Sequence, residues 1–306
     1  MKPIIAAVVV TYNRKDMLFR CLTSLKNQTH EIDQIIVVDN GSQDGTKELL
    51  KVFKAEWPLT VLEMESNIGG AGGFKVGIEV ANSSGCNYIW VMDDDAYADK
   101  DCLSTLIATA IENKAICVCP LIVGTSGKRQ IYHHKKIDKW LNEMSAITDL
   151  DNGIFKIDAN AFVGPLFESK VIEIIGLPNE NFFIWYDDVE YTKRMSNIGL
   201  MLLNTEAKIN HQDYFTNGET LVDWKMLYGI RNKYWTAVHS KSFMIYFYVS
   251  IKTLLWFIGR IFKFRGSISE LLKAVKYFSQ LVIDAHRKKP TPKIFLGLGV
   301  IFKTRK

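Results

Sequence analysis

Tyr88-Ile89-Trp90-Val91-Met92-Asp93-Asp94-Asp95 is the stretch on which the reading of this chain turns. Five apolar or β-prone residues predict a buried strand, which sets three consecutive carboxylates at its C-terminal end. Adjacent carboxylates repel one another. A divalent cation relieves that repulsion, because hard oxygen ligands suit Mg²⁺ or Mn²⁺, and a cation so held can clamp a diphosphate. In an open α/β sheet, ligands also bind in the crevice beyond the strand C-termini. The plainer explanation of the same three residues is a solvated acidic turn.

Around this stretch, strand-like runs at 4–10, 34–39, 59–64 and 88–92 alternate with helical patterns at 15–27, 44–54, 71–82 and 101–113. Met17, Leu18, Cys21, Leu22 and Leu25 share one face of the first helix. Alternation at this spacing predicts an α/β fold with a doubly wound, mainly parallel sheet. Further strand-like pieces fit 115–123, 154–163 and 200–204, short helices fit 168–175 and 187–197, and the pattern is helical from about 222 onward.

Composition sets the bounds. The chain has 306 residues and 48% hydrophobic content, enough for a full core and too apolar for a disordered chain. The net charge of +5 conceals an asymmetry: residues 252–306 hold thirteen Lys or Arg against Glu270 and Asp284, so that tail is +11 and the first 251 residues are −6. An acidic body with a basic, apolar tail suggests a surface-seeking C-terminus, with no nucleic acid as partner. Five cysteines without zinc-type spacing read as reduced core residues, which favours the cytosol. The run Ile4–Val10 is too short for a signal peptide and reads as the first strand.

Each remaining motif is weak alone. Val10-Thr11-Tyr12-Asn13-Arg14 closes the first strand beside the same crevice. Asp39, ending Ile35-Ile36-Val37-Val38, can accept hydrogen bonds from a base N–H or a ribose hydroxyl, although Asn40-Gly41-Ser42 is also ordinary turn chemistry. Asn67-Ile68-Gly69-Gly70-Ala71-Gly72-Gly73-Phe74 lets backbone approach a ligand at a helix start, but matches neither the dinucleotide fingerprint nor a P-loop. Trp185-Tyr186-Asp187-Asp188-Val189-Glu190-Tyr191 places carboxylates after a large apolar run, where desolvation can raise a pKa toward a useful base. Acids at a helix N-terminus are equally common for dipole reasons. His211 follows a short strand ending at Leu203.

Taken in order, these pieces resemble the inverting GT-A glycosyltransferases of family 2 over about residues 4–240, through VVVTYNR (8–14), IIVVDNGS (35–42), NIGGAGGF (67–74), WVMDDDA (90–96), FFIWYDDVEY (182–191) and His211. The wording of NIGGAGGF, MDDDA and WYDDVEY is most similar to the galactofuranosyltransferase subgroup. Tyr228 and Arg231-Asn232-Lys233-Tyr234 resemble the helical region that follows its catalytic domain. The resemblance implies a GT-A catalytic domain over 1–220, with a Rossmann-like nucleotide-sugar half to about 115 and an acceptor half beyond, then a basic, membrane-associating helical region over 221–306.

It implies donor contacts from Thr11, Tyr12, Arg14, Asp39, Asn67, Gly70, Gly73, Asp93 and Asp94, and a metal shell of Asp93, Asp95 and His211 for Mn²⁺ or Mg²⁺. Asp188 would be the general base, with Trp185, Tyr186, Asp187 and Glu190 on the acceptor side. Related enzymes carry a further acid after the triplet, where this chain has Ala96-Tyr97. The implied reaction transfers galactofuranose, with inversion, from UDP-galactofuranose to a hydroxyl of a growing, lipid-linked cell-surface polysaccharide. Three alternatives stay open: a rhamnosyltransferase using dTDP-rhamnose, a sugar nucleotidyltransferase and a non-catalytic membrane adaptor.

The segment 243–262 has nearly the length of a membrane span, interrupted by Lys252 and Arg260. Lys252, Thr253, Arg260 and Lys263 fall in one narrow sector of its helical wheel, which suggests a helix lying in the interface with that sector toward lipid headgroups. The resulting expectation is a cytoplasmic protein, peripheral on the inner face of the cell membrane. The sequence is also compatible with an oligomer.

Overall fold

The computed structural model describes residues 2–138, 140–148, 151–212, 221–222, 224–262, 267–295 and 302–303. Its first half is a run of strand–helix units: β1 (Ile5–Thr11), α1 (Lys15–Lys26), β2 (Gln34–Asp39), α2 (Thr46–Glu56), β3 (Leu59–Glu63), α3 (Gly69–Ser83), β4 (Tyr88–Asp93), β5 (Ala96–Ala98) and α4 (Cys102–Asn113). β6 (Cys117–Gly124), β7 (His134–Ile137), β8 (Met144–Ala146), β9 (Ile154–Lys156), β10 (Ala159–Asn160), β11 (Leu166–Glu168), α5 (Val171–Ile175), α6 (Asp187–Ser196) and β12 (Met201–His211) come next. The central sheet runs β3-β2-β1-β4-β11-β6-β12-β5, with β9 also on β12. β3, β2, β1 and β4 are parallel, as are β6 and β12, while β11, β5 and β9 pair antiparallel.

Both faces of this sheet are covered, and β1 shows why its sequence is continuously apolar. Ile5, Ala7 and Val9 pack with α1 and α4, whereas Ala6, Val8 and Val10 pack with α3. A strand buried on both faces loses the polar alternation of a half-exposed one. α3 lies so close to β1 that a Cβ on Gly77 would stand 2.4 Å from Val8 Cγ1, and one on Gly73 would stand 2.6 Å from Val10 Cγ1.

Two features depart from the sequence reading. The strand expected over 200–204 extends to His211, because Thr205, Ala207, Ile209 and His211 stay buried while Glu206, Lys208 and Asn210 are exposed. A register shift between Asn204 and Lys208 hides the change from continuous burial to alternation. Second, the piece at 154–163 divides between β9 on the central sheet and β10 in a small β10-β7-β8 sheet.

The chain forms two compact units: 1–137 with 144–179 and 188–213, and 138–143 with 180–187 and 214–306. The second unit contains β13 (Leu221–Val222), α7 (Trp224–Val238), α8 (Phe243–Phe262), α9 (Ile268–Ala285) and β14 (Phe302–Lys303). Its core gathers Phe183, Leu227, Tyr228, Tyr234, Val249, Leu281 and Phe295. α9 starts at a reciprocal capping box between Ser267 and Glu270.

α8 is long and apolar enough to cross a membrane by length and composition. Its orientation differs from the one expected. Thr253 is buried with Val249 and Phe257, Lys252 bonds Glu143, and the Arg260 guanidinium lies 5.6 Å from the centre of the Trp256 ring. The exposed residues are mostly apolar (Phe243, Met244, Phe247, Ile251, Leu254, Leu255, Ile258 and Phe262), with Lys252 exposed among them. Lys252 and Arg260 thus find local partners within the unit, the Glu143 carboxylate and the Trp256 ring. Lys263, Arg265, Arg305 and Lys306 lie outside the described residues.

Candidate active site

The three aspartates have three different environments. Asp94 is buried, accepts a hydrogen bond from Thr11 Oγ1 at 2.8 Å and pairs with Arg14 Nη1 at 3.2 Å. Asp95 is buried, with Oδ2 2.9 Å from Arg14 Nη1 and Oδ1 3.2 Å from His211 Nε2. Asp93 is half-buried at the end of β4. The parallel register of β1 and β4 aligns Val10 with Asp93, which brings Thr11 and Arg14 to the triplet.

His211 arrives from a distance of more than a hundred residues by strand pairing. β5 reverses direction immediately after the triplet and pairs with β12, setting His211 opposite Ala96. The departure at Ala96-Tyr97 thus supplies a strand edge that carries the histidine. Asp93, Asp95 and His211 each offer a ligand atom, and those atoms lie within 4.8 Å of one another. Two carboxylates and an imidazole suit Mn²⁺ or Mg²⁺, and Arg14 offsets only one of the three adjacent negative charges. The residues present therefore fit a divalent cation.

Sequence reasoning missed Gln130 and His133. The Gln130 amide nitrogen donates to the carbonyls of His211 (3.2 Å) and Gln212 (3.3 Å), which turns its oxygen toward the two rings. That oxygen lies 2.8 Å from His133 Nε2 and 3.1 Å from His211 Nδ1. An oxygen can only accept, so His211 carries a proton on Nδ1 and presents Nε2 to Asp95. Burial, with the neighbouring His211 charge, pushes the His133 imidazole down to about 3, so it is neutral at ordinary pH. These two residues lie at a short helical turn in an irregular stretch, where periodicity gives no signal.

On the donor side, loops after β1 and β2 are laced together: Asn13 N donates to Ser42 Oγ, and Gln43 N donates to Asn13 Oδ1. Asn13 itself takes the left-handed backbone region (φ 51°), which asparagine tolerates. Asp39 is fully buried; its Oδ1 accepts from Ser42 N at 2.9 Å, and its Oδ2 has no hydrogen-bond partner. An orphaned, buried carboxylate oxygen is an acceptor awaiting a donor. Tyr12 is exposed at the end of β1. Asn67 Oδ1 accepts from Gly69 N at 2.7 Å, just ahead of α3, which begins two residues earlier than expected. Gly70 faces open space, whereas Gly73 lies against β1.

The second acidic cluster divides between the two units: Trp185, Tyr186 and Asp187 belong to one, Asp188 and Glu190 to the other. Trp185 is exposed and Asp187 is buried. Glu190 is tied to Arg194 one helical turn on, at 2.9 Å. Asp188 accepts from Val189 N at 2.7 Å, and burial raises its carboxyl above the usual range despite such bonds. Its charge also reaches Asp93, whose carboxyl is raised by burial first and then by Asp95, Asp94 and Asp188. Asp188 therefore shares an electrostatic environment with the Asp93–Asp95–His211 group.

Burial pushes Asp94 up to about 6, against the opposing pull of Arg14. Asp95 differs: burial would raise it, but the His211 hydrogen bond and the charges of His211 and Arg14 outweigh that and lower it. A carboxyl raised in the folded state binds its proton more tightly than in the unfolded state. Its stabilising contribution is then present at low pH and is lost as pH rises through the folded value. The Asp94 contribution to the melting temperature of metal-free protein should accordingly be lost between about pH 4 and pH 6, the window between its ordinary and its folded values. Mn²⁺ should raise that temperature more at the higher pH. Differential scanning fluorimetry checks this, and an equal Mn²⁺ shift at both pH values would contradict the assignment.

The model of the family described as "Glycosyl transferase family 2" matches residues 6–167. Galactofuranosyltransferase GlfT1 of Mycolicibacterium smegmatis is 31% identical over 207 residues, 64% of this chain and 67% of its own length. The protein of the same name from Mycobacterium tuberculosis is 33% identical over 200 residues, 63% of this chain and 65% of its own length. The matched stretch thus spans about two thirds of those relatives. Among solved structures, S. aureus TarS 1–349 superposes with a TM-score of 0.61 at 16% identity, covering 92% of this chain and 83% of that one. GalNAc-T7 with UDP, GalNAc and Mn²⁺ also gives 0.61 at 16% identity, covering 96% and 56%. Such distant likeness speaks to the fold alone, which is GT-A. With the family model covering more than half of its length, the chain belongs to glycosyl transferase family 2.

Proposed function

We propose that this glycosyltransferase moves galactofuranose from UDP-galactofuranose to a hydroxyl of a growing, lipid-linked cell-surface polysaccharide, inverting the anomeric centre. The observation that carries the reading is the Asp93–Asp95–His211 group, whose ligand atoms lie within 4.8 Å of one another, together with the buried carboxyl Asp188, whose charge acts on Asp93. The relatives named galactofuranosyltransferase support the choice of donor.

Tyr12, Arg14 and the orphaned Asp39 oxygen hold the uridine diphosphate, with Thr11 and Asp94 fixing the Arg14 guanidinium and Asn67 and Gly70 lining the start of α3. A divalent cation on Asp93, Asp95 and His211 supplies neutralisation of the leaving diphosphate when bound. Asp188, its affinity for a proton increased by burial, takes the acceptor hydroxyl proton as that oxygen attacks from the face opposite the nucleotide. One base without an enzyme nucleophile implies inversion, by the logic that separates inverting from retaining hydrolases. Trp185, Tyr186 and Asp187 receive the acceptor. Glu190 is restrained by Arg194 and serves that side less directly.

A panel of UDP-galactofuranose, UDP-galactopyranose and dTDP-rhamnose, each with Mn²⁺, tests the donor. UDP-galactofuranose should turn over fastest. Preferential consumption of dTDP-rhamnose would move the assignment to a rhamnosyltransferase.

The same proposal sets the protein on an anionic membrane surface through the apolar face of α8 and the basic tail. Lys288 and Lys289 are exposed, and each basic residue near an anionic surface contributes about 1 kcal/mol, fading within a Debye length. Replacing both by Gln should weaken binding to anionic liposomes roughly 30-fold at low salt and little at high salt. Sedimentation with liposomes reads this out. Equal binding to neutral and anionic vesicles would contradict it.

A further inference from the structure

Ahead of the acidic cluster, the backbone does something its residues resist. Phe183 (φ 66°), Trp185 (φ 65°) and Tyr186 (φ 73°) all occupy the left-handed region, which bulky side chains rarely adopt. Such a conformation persists only where its surroundings over-determine it. Here those surroundings are three residues of α7 within the same unit.

Asn232 is fully buried, and its amide nitrogen lies within hydrogen-bond distance of three carbonyls: Phe182 (3.1 Å), Ile184 (3.2 Å) and Trp185 (2.7 Å). Arg231 is fully buried beside it, with Nη2 donating to the carbonyls of Asn181 (3.3 Å) and Phe182 (3.2 Å). Its Nη1 is anchored 2.7 Å from Asp284 Oδ2 on α9. Gly229, about one turn earlier on α7, seats the Trp185 indole: a Cβ there would stand 3.0 Å from Trp185 Cε3. Phe182 and Phe183 also pack on α7, against Trp235 and Tyr228. The carbonyls of Asn181, Phe182, Ile184 and Trp185 are thus all met by donors from one helix.

We propose that Arg231 and Asn232 are positioning residues for the acceptor side, clamping the strained segment 181–185 so that Tyr186 and Asp187, next in the chain, are held for an acceptor. The role rests on the proposed transferase reading. Neither residue belongs to the donor-side set of Thr11, Tyr12, Arg14, Asp39 and Asn67, so the clamp acts on acceptor transfer and not on donor binding.

Full-length Asn232→Ala and wild type are compared in three measurements. Hydrogen exchange of 181–186 needs no substrate and should accelerate in the variant, with α8 and α9 unchanged. UDP affinity in Mn²⁺ and slow hydrolysis of UDP-galactofuranose by water should stay within about twofold. Transfer to octyl β-galactofuranoside, the probe acceptor, should fall about 10²-fold, the loss expected when a reacting group is displaced by roughly 1 Å.

Unchanged exchange in 181–186, or donor hydrolysis falling as far as transfer, overturns the proposal. Faster exchange throughout α7–α9 with a matching loss of every activity would make Asn232 a structural residue only, and also overturns it. Should Asn232→Ala fail to fold, Gly229→Ala displaces only the Trp185 ring and decides the matter through the same selective loss of transfer. Wild type that neither hydrolyses nor transfers this donor, yet shows the local exchange difference, would break the donor assignment and leave the clamp standing.

Discussion

Asp188→Asn should lower kcat for acceptor transfer by about 10²–10⁴-fold, the usual contribution of a general base, while UDP binding in Mn²⁺ stays near the wild-type value. The substitution keeps the shape of the side chain and removes its ability to accept a proton. Asp188 is chosen over its neighbours on physical grounds. Burial raises its carboxyl, and its charge reaches Asp93. Glu190 is ion-paired with Arg194, which holds its carboxylate in place one helical turn away. Steady-state kinetics on Asp188→Asn, Asp187→Asn and Glu190→Gln separates the three. Normal turnover by the first with a dead second or third would transfer the role to another carboxylate.

Asp95→Ala should abolish metal-dependent UDP binding and reduce turnover to background while the protein remains folded. Asp95 is the junction of the site: one oxygen faces Arg14, the other faces His211. Removing it takes away a ligand and leaves a guanidinium edge and an imidazole facing each other. His211→Ala should act in the same direction more weakly, because Asp93 and Asp95 remain. Isothermal titration of UDP with and without Mn²⁺ reads both variants. Wild-type UDP affinity that ignores the metal would count against the whole donor arrangement.

The parallel part of the fold and the aspartate triplet were legible because continuous apolar runs leave few structural choices. Tyr88–Met92 has to be a buried strand, and the C-terminal end of that strand has to carry Asp93, Asp94 and Asp95. The pairing of Asp95 with His211 was not legible as geometry. It depends on a three-residue strand, β5, and on the second half of β12, where buried residues alternate with Glu206, Lys208 and Asn210. Alternation over so few residues after a register shift resembles a loop. Gln130 and His133 were invisible for a related reason, since they act through one shared oxygen on an irregular segment.

The glycine loop shows a mixed signal. Its composition suggests close approach to a ligand; Gly70 faces open space, while Gly73 and Gly77 let α3 rest on β1. Both uses exploit a missing Cβ, and sequence cannot separate them. The left-handed backbone at Phe183, Trp185 and Tyr186 had no local cue, because aromatic residues do not favour it. Its carbonyls are met instead by donors on α7, more than forty residues later in the chain. The surroundings of α8 likewise include tertiary partners, Glu143 for Lys252 among them, that a helical wheel does not contain.

One measurement bears most directly on the central claim that a single base, Asp188, drives direct displacement at the anomeric carbon: NMR of the linkage formed from UDP-galactofuranose. Anomeric configuration opposite to that of the donor is the expected result. Retention of the donor's configuration would require an enzyme-bound intermediate or a front-face path, and would contradict the mechanism.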